Sequence, residues 1–145
     1  MLTQGFKNNR SVFLVEDNED DVELMRRAFV KARIANPLEV FSDGEEAVKR
    51  LLDSAAALPT LILLDLKLPK MNGLEVLKAL RANPRTKLVP VVMLTSSKEE
   101  SDLVASYSLG ANSFVRKPVD FDQFVEAMNL LGLYWLLLNE QPKLD

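Results

Sequence analysis

Five short apolar runs, each followed by a segment with helical spacing, constrain this chain more than any other feature. The runs are SVFLV (11–15), LEVF (38–41), TLILL (60–64), VPVVML (89–94) and NSFV (112–115). Three of them are nearly continuous in Val, Ile and Leu, as expected of strands covered on both faces of a parallel sheet. LEVF alternates more and is expected at a sheet edge. Residues 20–33 place Val22, Met25, Ala28, Phe29 and Ala32 on one helical stripe, with acceptors and negative charge from Asn18 to Asp21 at its start. Residues 44–54 and 73–82 repeat the pattern, and Asn83-Pro84 halts the second. A shorter, more polar helix spans 101–109 and ends at Gly110. The last runs from 121 to 138, with Asp120 or Asp122 near its cap.

Strand and helix alternating in this way predict an α/β fold with a doubly wound five-stranded parallel sheet. Right-handed crossovers put every strand's carboxyl end along one edge. In the flavodoxin-like order 2-1-3-4-5, ligands gather where the strand order reverses.

Length and composition narrow the function. The 145 residues suit one domain, expected over 11–139 with an extended C-terminal helix, between tails at 1–10 and 140–145. An apolar fraction of 48%, a charged fraction of 27% and a net charge of −3 are those of an ordinary globular protein without a nucleic-acid surface. There is no cysteine and no histidine, which excludes disulfides, thiolate metal sites, the commonest zinc ligand and the commonest general base. The N-terminus lacks the apolar core of a signal peptide, and the cluster LLGLYWLLL (130–138) is too short to span a membrane. A soluble, cytoplasmic protein is expected.

The residues just after the strands carry the chemistry. Strand 1 ends in Glu16-Asp17, strand 3 in Asp65, strand 4 in Thr95-Ser96-Ser97 and strand 5 in Arg116-Lys117-Pro118. Neighbouring strands thus converge three carboxylates, a hydroxyl and an ammonium. Carboxylates without imidazole or thiolate form a hard-oxygen site suited to Mg²⁺. A lysine opposite such an ion, with a hydroxyl between, clamps a phosphoryl group. Asp65 is central and placed to attack phosphorus.

Each residue alone has a plainer reading. The acidic run 16–21 could be a solvated helix start, Asp65 a loop cap, Thr95 and Lys117 surface residues, and Lys-Pro a turn. What favours chemistry is that four separate strand ends deliver the types one reaction needs. A hydrolase of the haloacid dehalogenase type needs a second aspartate two positions after the nucleophile, where Lys67 stands. No glycine-rich nucleotide loop follows any strand.

LVEDNEDD, LLDLKLPKMNG, VVMLTSS and NSFVRKP, in this order, resemble the receiver domains of two-component response regulators over residues 10 to about 131. The resemblance is to single-domain, chemotaxis-regulator-like members. It implies that Asp65 accepts a phosphoryl group from a sensor histidine kinase. It also implies that Asp17 holds Mg²⁺ or Mn²⁺ directly and Glu16 through water, with Asp65 and the Lys67 backbone carbonyl as further ligands. Thr95 and Lys117 would bind phosphoryl oxygens, small Ser96 would leave access, and the Lys117-Pro118 bond would be cis. Thr95 and Phe114 would form the switch, although strand alternation alone could bury Phe114 as a core residue. Glu16 in place of the commoner aspartate, and the long cationic Lys67, depart from the pattern. The resemblance implies a signalling protein, not an enzyme. The alternative is a receiver-like docking module that works without phosphorylation.

No effector domain follows in this sequence, so output is expected through protein contact rather than DNA binding. In the C-terminal segment, Phe124, Met128, Leu131, Trp135 and Leu138 fit one apolar stripe. Leu130, Leu133, Tyr134 and Leu137 make a second, which together with Trp135 suggests a homodimer interface. A wide stripe under one long core helix is the plainer reading. GLYWLLLNEQP resembles the stand-alone receivers that accompany bacterial phytochrome kinases, which makes a phytochrome kinase the expected partner.

Overall fold

A computed structural model describes residues 10–96, 99–116 and 121–131. Its elements follow the expected alternation: β1 (Val12–Val15), α1 (Glu19–Lys31), β2 (Leu38–Phe41), α2 (Gly44–Leu51), β3 (Leu61–Leu64), α3 (Gly73–Ala82), β4 (Val91–Thr95), α4 (Glu100–Ser108), β5 (Ser113–Arg116) and α5 (Phe121–Leu131). The strands form one parallel sheet in the order β2-β1-β3-β4-β5, with LEVF at an edge as expected. Several boundaries shift by a residue or more, two of them for a reason visible in the backbone. Pro90 has no N–H for the ladder, so β4 starts at Val91, and the Pro90 carbonyl instead accepts the Ile62 N–H at 3.0 Å. Helix α2 stops at Leu51, three residues short of the expected end, where Leu52 caps it with its N–H on the Val48 carbonyl.

The pleat splits the apolar runs between two cores. Phe13, Val15, Ile62, Leu64, Val91 and Met93 face α2 and α3, packing on Ala47, Leu51, Val76, Leu77 and Leu80. Val12, Leu14, Leu61, Leu63, Val92 and Leu94 face α1 and α5, packing on Met25, Ala28, Phe29 and Val125. Burying each of these side chains other than the alanines contributes roughly 1.5–3 kcal/mol. The double-sided burial is why the runs are continuous in sequence.

The helix ends follow local chemistry. Asn18 Oδ1 accepts the Asp21 N–H at 3.0 Å and starts α1. Asn72 and Glu75 form a reciprocal capping box at the start of α3. Helix α4 is the least anchored. Its first residue is preceded by Glu99 without a side-chain cap, Ser106 is its one fully buried residue, and Val104 and Tyr107 are exposed. Gly110 ends it at φ 99°, the left-handed conformation expected there. Below that turn, the Arg81 guanidinium donates to the carbonyls of Gly110 (2.9 Å), Lys87 (3.0 Å) and Val89 (2.8 Å) and to Asn112 Oδ1 (3.1 Å). Burial lowers its pKa, but a guanidinium stays charged at neutral pH.

Along α5, Leu130 is 65% exposed, in keeping with its place on the second apolar face. Leu133, Tyr134, Trp135, Leu137 and Leu138 lie outside the described residues, as do the side chains of Phe124, Met128 and Leu131. Among the described residues, no helix is long and apolar enough to cross a membrane.

Candidate functional site

Parallel strands and right-handed crossovers bring the ends of β1, β3 and β4 to one edge of the sheet. The backbone carries the ladder on past the last strand residues: Glu16 N–H donates to the Phe41 carbonyl at 2.9 Å, and Asp65 N–H to the Val15 carbonyl at 3.0 Å. Glu16 and Asp65 are thereby drawn into the edge of the core, 3% and 7% exposed, whereas Asp17 turns out to solvent. One carboxylate oxygen from each of the three lies within 4.8 Å of the others. Asp65 Oδ1 accepts the N–H of its own neighbour Leu66 at 2.8 Å, and Glu16 Oε2 accepts the Asn18 N–H at 3.1 Å. Both bonds fix the direction of a carboxyl oxygen.

These three acids form one wall of a cleft of about 530 Å³ that also includes exposed Ser96. Asn18 to Asp21 line the same cleft. The acidic run is therefore one negative surface, graded from a buried end at Glu16 to a solvated helix start. A neighbouring cavity of about 520 Å³ shares Asp17 and is floored by the β3–α3 loop, with Leu66, Lys67 and Leu68 on one side and Asp102 of α4 on the other. The Lys67 side chain is exposed.

Three carboxylates this close repel one another unless a cation neutralises them. The donors are all oxygen, and the chain has no imidazole or thiolate to add, so the set fits a hard divalent ion that keeps part of its water shell.

Of the other expected site residues, Thr95 closes β4 in register with Arg116 on β5. Phe114 is half-buried and packs against the α2/α3-side core, with the Arg116 guanidinium 5.8 Å from its ring centre. It is neither a fully buried core residue nor a surface one. Lys117 and Pro118 lie outside the described residues, as does the side chain of Thr95. What the reading of the strand ends missed is support from behind. An ideal Cβ on Gly73 would lie 2.3 Å from the Asp65 carbonyl oxygen, and one on Gly44 would lie 2.0 Å from the Met71 carbonyl oxygen. Both helix starts thus press backbone-close on the segment that carries Asp65. The glycines were visible in the sequence, but nothing local said what they approach.

A profile of the response regulator receiver domain matches residues 12–129. The chain belongs to that family. It is 35% identical to response regulator Rcp1 of Synechocystis sp. over 129 residues, which are 86% of this chain and 88% of Rcp1. The crystal structure of the phosphorylated cyanobacterial phytochrome response regulator RcpA superimposes with a TM-score of 0.86 at 34% identity, over 94% of this chain and all of that one. The bacteriophytochrome response regulator AtBRR is 48% identical, with a TM-score of 0.72, over 92% of this chain and 99% of its own. The flavodoxin-like receiver fold is therefore the fold of this chain, and its role is that of a phosphoacceptor in two-component signalling. The family is one of signalling domains, not a classical enzyme family. Receiver domains hold Mg²⁺ or Mn²⁺ at such an acidic pocket, a solved form of Rcp1 is Mn²⁺-bound, and Glu16, Asp17 and Asp65 fit that ion.

Proposed function

We propose that Asp65 is the phosphoacceptor and that Glu16, Asp17, Asp65 and the Lys67 carbonyl form the metal site. The single observation behind this reading is the burial of Asp65 within 4.8 Å of two further carboxylates at the carboxyl edge of the sheet. In the reaction, a carboxylate oxygen of Asp65 bonds to phosphorus as the P–N bond of a phosphohistidine on a sensor kinase breaks. The Leu66 N–H on Oδ1 orients the attacking carboxylate. A bound Mg²⁺ would offset the charge of the acids and of the incoming phosphoryl group. Thr95, Ser96 and Lys117 complete the clamp on the phosphoryl oxygens. Thr95 and Phe114 then carry the signal as a shift between two packings. Phe114 suits that role because its half-buried ring lies between the core and the surface.

The chain acts at most on its own aspartyl phosphate, by forming and hydrolysing it. Its domain runs from 11 to 139, and it works in the cytoplasm, without direct contact to nucleic acid or membrane. Its kinase is a phytochrome, a reading supported by the naming of RcpA and AtBRR as phytochrome response regulators. It pairs with a second copy through Leu130, Leu133, Tyr134, Trp135 and Leu137, a reading supported by the exposure of Leu130.

Incubation with acetyl phosphate and Mg²⁺ followed by intact mass tests the acceptor. One phosphoryl group on the wild type and none on Asp65→Asn is expected, and uptake by the variant would refute the assignment. Sedimentation of the wild type against a Tyr134→Ala/Trp135→Ala variant tests the dimer, which a monomeric wild type would rule out.

A further inference from the structure

The loop from Asp65 to Gly73 carries the acceptor at one end and the Lys67 carbonyl near its middle, so its shape sets the site. It is closed by the Gly73 N–H on the Leu66 carbonyl at 2.8 Å. Within it, the Met71 N–H reaches back to the Pro69 carbonyl at 2.7 Å around Lys70, whose φ is 65°. That combination is the positive-φ form of the γ-turn, rare and strained for a residue with a side chain. Something outside the loop must hold it. The start of α2 does so twice. Gly44 meets the Met71 carbonyl so closely that a Cβ there would sit 2.0 Å from the oxygen. One residue earlier, Asp43 divides its two oxygens: Oδ1 accepts the Glu46 N–H at 2.7 Å and caps α2, while Oδ2 lies 3.7 Å from the Lys70 ammonium. The Asp43 side chain is only 13% exposed and so is a fixed anchor, whereas that of Lys70 is 63% exposed, which keeps the pair weak.

We propose that Asp43 and Lys70 are positioning residues for the metal and phosphoryl site, although neither is among its ligands. The α2 start is a buttress, and the Asp43–Lys70 pair ties the strained turn of the acceptor loop to it. The inference rests on the proposed metal site, and the experiment separates the two.

Asp43→Asn keeps the capping oxygen and removes the charge, while Lys70→Met keeps the stem and removes the ammonium. Each is expected to raise the Kd for Mg²⁺ by about threefold, the scale of one partly exposed ion pair. The double variant is expected to be no worse than either single one, because the two act through one bond. In metal-free protein the Met71 and Gly73 amides should exchange hydrogen faster by a similar factor. Lys70→Gly supplies the readout that a merely structural role would not move. Glycine tolerates the positive φ, so Tm should rise while Mg²⁺ binding weakens as in Lys70→Met. Unchanged Mg²⁺ affinity in both single variants, or additive losses in the double, would overturn the proposal. If the wild type takes up no Mg²⁺, the metal site falls instead, and amide exchange in the metal-free protein decides this inference alone, with unchanged rates rejecting it.

Discussion

Asp65→Asn should make the metal-free protein more stable and deprive it of the stabilisation Mg²⁺ confers. At 4.8 Å, the upper bound on the distances within the trio, and with an effective dielectric of about 20, two unit charges repel by about 3.5 kcal/mol. Glu16 and Asp65 are both nearly buried, so their pair keeps most of that value, while pairs with exposed Asp17 are screened and are discounted. Asparagine is nearly isosteric, and its carbonyl oxygen can still accept the Leu66 N–H now held by Asp65 Oδ1 at 2.8 Å. The bond loses its charge assistance, a cost of about 1 kcal/mol. The other interactions of the Asp65 carboxylate subtract from the remainder, which leaves a net gain of at most about 2 kcal/mol, or roughly 4–8 °C in Tm for a domain of this size. In the wild type, Mg²⁺ at 100 times its Kd adds about 2.7 kcal/mol by mass action. The variant, with one carboxylate fewer, should gain far less. Thermal melts of both proteins in EDTA and in saturating Mg²⁺ measure all four states. A variant that melts at or below the wild type in EDTA would refute the repulsion argument. An equal Mg²⁺-induced rise in both would refute Asp65 as part of the metal site.

Other substitutions probe the frame around the site. Gly73→Ala puts a Cβ 2.3 Å from the Asp65 carbonyl oxygen, and backbone cannot yield as a side chain does. A loss of about 3 kcal/mol in urea denaturation is expected, with phosphorylation lost even where the protein remains folded. Arg81→Met leaves the Gly110 and Val89 carbonyls without their guanidinium donor; a loss of about 1–3 kcal/mol is expected, and amide exchange in the 109–112 turn should quicken. Asn72→Ala removes the cap of α3, at a cost of about 1 kcal/mol by urea midpoint, whereas Asn72→Asp should be nearly neutral.

The order of elements, the edge place of LEVF and the two-sided burial of the runs in β1, β3 and β4 could be read along the chain, because a pleated strand and a helical stripe leave different periods in sequence. So could the acids Glu16, Asp17 and Asp65, since parallel topology sends every strand's carboxyl end to the same edge. The starts of β4 at Val91 and α1 after Asn18 follow from a missing N–H and an available side-chain acceptor, both local facts. The early stop of α2 at Leu51 was not legible, because residues 52–54 continue a pattern that local spacing alone allows.

What only the folded molecule decided is depth and support. Adjacent in sequence and identical in charge, Glu16 and Asp17 differ in burial because the ladder to Phe41 draws one backbone in and leaves the other free. The run 16–21 is accordingly one cleft wall with a buried end. Gly44 and Gly73 acquire their meaning from carbonyls at Met71 and Asp65, and Asp43 finds Lys70 only when α2 lies beside the β3–α3 loop. Sequence carries residue types and periods, which suffice to say that carboxylates meet. How deeply each is held, and what braces it from behind, depends on contacts between segments whose separation along the chain leaves no local trace.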